Sequence, residues 1–259
     1  MRIDQIKIRP KFFQKGFCDL WGLKPLYDTN KPCVFFGIGD HYDIDAVKNH
    51  KGLKIVWFHN ARGNQYVHHF IGVENLVVLE NPYLDVPEGM RKKKINIPYK
   101  DYSMFTPTPL GDKIYCYVGV KSREDEFQLD RIRDIAKNTP YELITGYLGL
   151  PMQEVKVKYY DECFVNINLN KSGGGGWTSI MELGMMGRKT ISNTKFDYPS
   201  IINFKEDCPN DFPTLIGYMK DEDIVRIILN EAKKIGTVQP QMSWQWATEE
   251  WLDTKFWEA

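Results

Sequence analysis

Four consecutive glycines, Gly173 to Gly176, stand between an apolar run, Cys163 to Leu169, and a helix-compatible segment carrying Thr178, Ser179 and one carboxylate, Glu182. A glycine-rich turn that opens a helix presents unpaired backbone N–H groups and the positive end of the helix dipole. That is a site for phosphate. Glu182, one turn into the helix, does not favour phosphate, but it can accept hydrogen bonds from ribose hydroxyls. The segment suits a nucleoside diphosphate with a sugar-like part. It is neither common phosphate loop: no Lys-Ser/Thr pair closes the glycine run, and the spacing is not the dinucleotide fingerprint. A surface loop ahead of a core helix is the plainer alternative, although four glycines in a row cost backbone entropy and so need a reason.

A second group of candidates lies in the first hundred residues. Asp40 and His41 follow the apolar run CVFFGI, His59 ends KIVWFH, and Glu80 ends NLVVLE. Ligands bind at the C-terminal ends of strands in open α/β sheets, so a carboxylate or imidazole there is placed to act as a general base. Asp40, in a glycine-flanked loop, is the first choice, with His41 and His59 behind it. Arg62, in NARGNQ, is a candidate contact for an anion. His59, His68 and His69 lack the i, i+4 spacing of helical metal sites, and no essential metal is expected.

The elements that must position these groups form two alternating series. Strands are expected at Cys33 to Ile38, Lys54 to His59 and Asn75 to Glu80, with helical segments at Ile44 to His50 and Tyr66 to Ile71. Strands alternating with helices predict a parallel sheet of βαβ units. Lys92 to Pro109 is rich in Lys, Pro and Thr and reads as a linker. A second series follows: strands at Lys113 to Val118, Tyr141 to Thr145 and Phe164 to Leu169, with a helix at Glu126 to Asn138. After the glycines come a strand at Thr190 to Ser192, a short strand at Ser200 to Phe204 and an amphipathic helix at Asp221 to Ile235. Ser243 to Trp257 is expected to be one helix with a broad aromatic face containing Trp244, Trp251 and Trp257.

Composition sets the outer bounds. The chain has 259 residues, 42% of them hydrophobic and 26% charged, which suits a globular protein with a real core. No apolar stretch approaches the roughly 18 residues of a membrane span. The start of the chain, MRIDQIKIRPKFF, lacks the apolar core of a secretory signal. The five scattered cysteines form no CxxC pair and suit a reducing cytoplasm. Net charge is zero but uneven: residues 1–100 hold 16 Lys/Arg against 10 Asp/Glu, a net +6, and residues 101–259 a net −6. Near the start, Arg2, Lys7, Arg9, Lys11 and Lys15 interleave with Phe12, Phe13 and Phe17, and Arg91 to Lys94 adds four more cations. Basic residues mixed with aromatics suit phosphate contacts and base stacking.

Two βα series, a linker and a glycine turn late in the second series together resemble the GT-B glycosyltransferases. The stretch GGWTSIMELGMMGRKTIS is similar to that family's donor-binding element, and the Gly-Val-Lys-Ser-Arg turn after Val118 is similar to the start of its second domain. The resemblance implies an α/β fold of two Rossmann-like domains facing across a cleft, with a C-terminal helix crossing back. The expected domains are 1–108, with 241–259 packing back on it, and 109–240. It implies a nucleotide-sugar donor, a UDP-sugar first, and no essential cofactor. Gly119, Gly174, Gly175, Gly176, Trp177, Thr178 and Ser179 would line the donor site, Glu182 would hold the ribose, and Lys121 or Arg123 would offset phosphate charge. Many retaining members carry a second glutamate where this chain has Gly174, so inversion is the expected course.

In this family the first domain holds the acceptor, and here that domain is the basic one. Arg9, Lys11 and Arg62 are the expected acceptor contacts. With FFQKGF near its start, the chain resembles phage-encoded transferases that glycosylate hydroxymethylpyrimidines in DNA, which implies a DNA acceptor, a monomer and a host-cytoplasmic location. Other readings are a transferase acting on a glycan or lipid, a non-catalytic nucleotide-sugar binding protein, and a membrane-surface protein using the tryptophan-bearing terminal segment.

Overall fold

Uninterrupted apolar runs make strands that are buried on both faces, and such strands belong in parallel sheets. The computed structural model, which describes residues 1–9, 14–58, 64–80, 84–98, 100–171, 177–193, 201–202, 220–241 and 247–258, contains two of these sheets. Each belongs to its own compact unit. Unit 1 comprises Met1–Tyr102 and Trp244–Ala259, and unit 2 comprises Ser103–Ser243.

In unit 1 the chain runs through β1 (Gln5–Ile8), α1 (Gln14–Trp21), β2 (Lys24–Pro25), β3 (Cys33–Phe36), α2 (His41–Asn49), β4 (Lys54–Trp57), β5 (Leu76–Leu79) and β6 (Lys92–Lys93). The sheet order is β2-β1-β3-β4-β5-β6, and every pairing is parallel. Successive side chains point to opposite faces. Val34, Phe36, Ile55, Val77 and Leu79 therefore enter one buried cluster, with Phe17, Trp251, Leu252 and Trp257. Cys33, Phe35, Val56, Leu76 and Val78 enter a second, with Ile44 and Val47 of α2 and with Val67 and Phe70 of a short 3-10 turn.

Two expectations for unit 1 are corrected. The basic segment at the start contains β1, an interior strand of the sheet, and Phe17 is fully buried. The segment expected to be one helix over 243–257 is, among the described residues, a 3-10 turn at Glu249–Leu252 and a short helix at Thr254–Glu258. Asp253 separates them with extended backbone, and its carboxylate accepts the Lys255 N–H at 3.0 Å. A short polar side chain that bonds the backbone locally ends one turn and starts the next. This C-terminal piece is tied into unit 1 by Ile3 N–H to the Leu252 carbonyl at 2.7 Å and Thr254 N–H to the Met1 carbonyl at 2.8 Å.

Unit 2 runs through β7 (Lys113–Gly119), α3 (Leu129–Lys137), β8 (Leu143–Tyr147), α4 (Met152–Val155) leading into a π-helical turn (Lys156–Tyr160), β9 (Cys163–Asn168), α5 (Trp177–Met185), β10 (Lys189–Ser192), β11 (Ile201–Ile202) and α6 (Asp221–Glu231). Its parallel sheet has the order β11-β10-β9-β7-β8. Ile114, Cys116 and Val118 of β7 pack with Leu129, Ile132 and Ile135 of α3 and with Ile224 and Ile228 of α6. No helix of the described residues is long and apolar enough to cross a membrane.

The start of β7 lies against the turn before β9 so closely that a Cβ on Gly111 would meet the Glu162 carbonyl carbon and oxygen at 2.1 Å. Backbone cannot step aside as a side chain can. Gly111→Ala should therefore destabilise the protein by about 1–3 kcal/mol, the range for overpacking. Chemical denaturation checks this, and an unchanged midpoint would show that the close approach is not made.

Candidate functional site

The order of strands locates the edge at which each unit can bind a ligand. In unit 2, β7 is followed by β8 on one side and then by β9 on the other, so the connections diverge between β7 and β9. In unit 1 they diverge between β1 and β3. Open α/β sheets bind ligands outside the C-terminal ends of their strands at such points.

At the unit 2 switch point, β7 ends at Gly119, whose φ of 84° is one that glycine adopts without steric cost. The loop continues into a single 3-10 turn, Lys121–Arg123, with Lys121 exposed. The Arg123 guanidinium donates to both oxygens of Glu126 at 2.7 and 2.8 Å, and lies 4.8 Å from the centre of the Phe127 ring. The Glu126 hydrogen bond, outweighing desolvation, raises the Arg123 pKa above its ordinary value. β9 ends in Asn168, and Asn170 beyond it is buried. Asn170 N–H donates to Asn193 Oδ1 at 3.1 Å, and Asn193 Nδ2 returns a bond to the Asn170 carbonyl at 3.3 Å. Lys171 N–H donates to the Glu126 carbonyl at 2.9 Å, and its ammonium reaches Asp125 at 2.5 Å. The loop after β7 is thus fastened to the point where the glycine-rich segment begins. Sequence reasoning missed Glu126, Asn170 and Asn193; the pair of asparagines flanking a strand end was the available signal, since Asn bonds local backbone at such places.

Gly174, Gly175 and Gly176 lie outside the described residues. The helix expected after them is α5, beginning at Trp177, with Thr178 half-buried and Ser179 buried in its first turn. Glu182 is fully buried, and Tyr160 donates its phenol to Glu182 Oε2 at 2.5 Å. A carboxylate in a dry interior needs such a donor. The structure thus gives one oxygen of Glu182 a partner within unit 2. Burial, followed by the nearby Glu182 charge, pushes the Tyr160 hydroxyl pKa well up, so it stays a donor.

The end of α5 is set by Arg188, also fully buried. Its guanidinium donates to four main-chain carbonyls, those of Met186 at 2.6 Å, Pro109 at 2.8 Å, Tyr160 at 3.0 Å and Thr108 at 3.1 Å. The last carbonyls of a helix lack intrahelical partners, and a cation suits that end of the dipole. Arg188 thereby fixes α5 against both the entry to β7 and the π-helical turn.

At the unit 1 switch point, Arg9 and Asp40 come together. The Arg9 guanidinium pairs with Asp40, and with Asp43 Oδ2 at 3.1 Å; Lys7 holds the other Asp43 oxygen at 3.0 Å. Gly39 N–H also donates to Asp43, at 2.9 Å. Asp40 is the N-cap of α2 and accepts the Asp43 N–H at 3.1 Å. Its hydrogen bond from Arg9, followed by that from the Asp43 backbone, holds its carboxyl below the usual range despite some desolvation. His41 opens α2, exposed, with its ring centre 4.0 Å from that of Tyr42. Lys11, His59 and Arg62 lie outside the described residues. Elsewhere in unit 1, three of the four cations in the run Arg91 to Lys94 are engaged: Arg91 and Lys93 donate to the Trp257 and Phe256 carbonyls, and Lys92 pairs with Glu80 at 2.8 Å.

No protein-family model matches the chain, and no curated protein matches it. Among solved structures it is similar to that of TarM, at 12% sequence identity and a TM-score of 0.50, over 81% of this chain and 51% of TarM. The chain thus spans about half the length of TarM. TarM is a glycosyltransferase of the GT-B type, and a likeness at this identity shows the fold: α/β, with two Rossmann-like domains.

Two measurements follow. Asp40 has a depressed folded-state pKa, so its contribution to stability is present above the ordinary carboxylate range and is lost as pH falls through the depressed value. Asp40→Asn should lower Tm at neutral pH, and the gap from wild type should close in acid; a gap that persists below the folded pKa would contradict the Arg9 pairing. Tyr160→Phe removes a donor from a buried carboxylate and should cost about 1–3 kcal/mol in denaturant unfolding. No change in unfolding would mean that Glu182 does not depend on it.

Proposed function

We propose that the chain is a glycosyltransferase that binds a nucleoside diphosphate sugar in unit 2 and transfers the sugar to a hydroxyl acceptor bound at the strand ends of unit 1. The observation that supports this most is the edge of unit 2. There the loop after β7, which carries Lys121 and Arg123, is fastened to the start of a glycine-rich segment that leads into α5, at the switch point of a fold shared with a GT-B glycosyltransferase. Lys121 or Arg123 would offset the charge that grows on the departing nucleoside diphosphate. Gly119, Gly174, Gly175, Gly176 and the first turn of α5, from Trp177 through Thr178 and Ser179, would supply main-chain N–H groups to the phosphates. A UDP-sugar is our first choice of donor.

An inverting transfer needs a base for the acceptor hydroxyl. His41 suits this better than Asp40, whose carboxylate already caps α2 and pairs with Arg9. For the acceptor itself, the case for hydroxymethylpyrimidine-bearing DNA drew on the cations of the first hundred residues. Arg2, Lys7, Arg9 and Lys92 are in ion pairs, Arg91 and Lys93 hold C-terminal carbonyls, and Phe17 is in the core. These partners favour an uncharged acceptor, a glycan, over a polyanion.

The test incubates the protein with a panel of nucleotide sugars and with either glycan or hydroxymethylcytosine-bearing DNA, then follows nucleoside diphosphate release and acceptor mass. We expect release with one nucleobase and a hexose or pentose increment on the glycan. Turnover should change little between 50 and 200 mM salt, whereas a DNA acceptor engaged through 6–10 phosphates loses about 10³–10⁵ in affinity over that range. His41→Ala should lower kcat by about 10²–10⁴ with Tm unchanged, the usual contribution of a general base. Failure to bind any nucleoside diphosphate would sink the reading; sugar transfer to the DNA alone would replace the acceptor.

A further inference from the structure

Glu126 stands between the two loops that meet at the unit 2 switch point. Its carboxylate takes Arg123 side-on, through Nε at 2.7 Å and Nη2 at 2.8 Å. The Asn170 amide approaches Oε1 at 3.5 Å, a long contact, and the Glu126 carbonyl accepts the Lys171 N–H at 2.9 Å. Two residues on, Gln128 has left-handed backbone, φ 51°, and its amide donates to the Leu169 carbonyl at 3.3 Å. A non-glycine residue in that conformation is costly and persists only where its surroundings hold it. The turn from Arg123 to Gln128 is therefore bound to Leu169, Asn170 and Lys171, ahead of the glycines.

The chemistry of arginine makes this arrangement useful. Guanidinium carries five N–H donors on three edges. Side-on pairing with Glu126 engages Nε and Nη2, and the buried Phe127 ring lies against the group. Among the described residues Nη1 has no hydrogen-bond partner, so the end-on edge, Nη1 with the second Nη2 hydrogen, is left for a bidentate oxyanion. An arginine already oriented in this way loses less side-chain freedom when it takes up a phosphate.

We infer that Glu126 is a positioning residue for the donor: it orients Arg123 so that the outer edge of the guanidinium meets the diphosphate, and it ties that arginine to the mouth of the glycine-rich segment. The inference rests on the reading of unit 2 as the donor site and goes beyond it, because it gives an acid a favourable role beside an anion. Charge alone gives the opposite sign, with tighter diphosphate binding once Glu126 is neutralised. The sign of the effect therefore decides.

The experiment is calorimetric titration of the full chain and of Glu126→Gln, Arg123→Gln and the double variant. The probes are uridine, guanosine and adenosine diphosphates, followed by the nucleoside of whichever binds wild type most tightly. Glu126→Gln should weaken the diphosphate about tenfold, in keeping with the loss of one charge-assisted bidentate pair. It should leave the phosphate-free nucleoside unchanged, and the double variant should match Arg123→Gln alone. Unchanged or tighter binding overturns the inference, as does an equal loss for the nucleoside or a loss repeated in the Arg123→Gln background, which a merely structural residue would show. Should Glu126→Gln fold poorly by thermal scan, Glu126→Asp, which keeps the charge and shortens the reach, is carried through the same cycle with the same criteria. Wild type that binds none of the diphosphates defeats the donor-site reading and this inference with it; wild type that binds while Glu126→Gln is unaffected defeats only the role of Glu126.

Discussion

Both sheets are buried on their two faces, and that burial governs where polar groups can sit. In unit 1 the residues of β3, β4 and β5 alternate between two apolar clusters, so no strand interior is left to face water. Burying an unpaired polar or charged group is costly. Functional groups are therefore confined to the loops at the strand ends, where the chain must turn in any case. The switch points then gather them: Gly119 to Glu126 with Asn170 in unit 2, and Arg9 with Asp40 and Asp43 in unit 1.

Two of the polar groups in the interior of unit 2, Arg188 and Glu182, hold α5. Arg188 satisfies four carbonyls, and Tyr160 satisfies Glu182. These contacts join the π-helical turn, the entry to β7 and the helix that follows the glycines.

Most of the sheet interior was legible because parallel strands buried on both faces are written as continuous apolar runs, such as CVFF, KIVW and LVVL. The strand β1 was not, because Gln5, Lys7 and the neighbouring Arg9 interrupt its isoleucines, and those same residues read as a basic surface. Their partners are distant in sequence: Asp43 for Lys7, Asp40 and Asp43 for Arg9, and Glu249 for Arg2. Charge counting along a chain cannot see ion pairs that only folding brings together. The terminal segment was misread for a related reason, since the aromatic spacing suited a helix while the local bond made by Asp253 divides it. At the candidate sites, Asp40 and Arg9 were each legible as strand-end residues, but their pairing was not. Glu126 went unnoticed because it lies in an ordinary-looking acidic turn, with nothing in its neighbours to signal a bidentate partner three residues away.

Unit 1 is discontinuous in sequence, and Trp251 and Trp257 lie at the centre of its core beside Phe17 and Phe36. A ribosome delivers the first strands long before those indoles exist. Unit 2 is encoded in between and draws on a single uninterrupted stretch, so its sheet can be complete while unit 1 still awaits its last aromatic residues. Newly made chains must then pass through an interval in which the face of β3, β4 and β5 that receives the tryptophans is uncovered. During that interval the protein's exposure to proteases and to self-association depends on how soon those two tryptophans are made, not on the final strength of the fold.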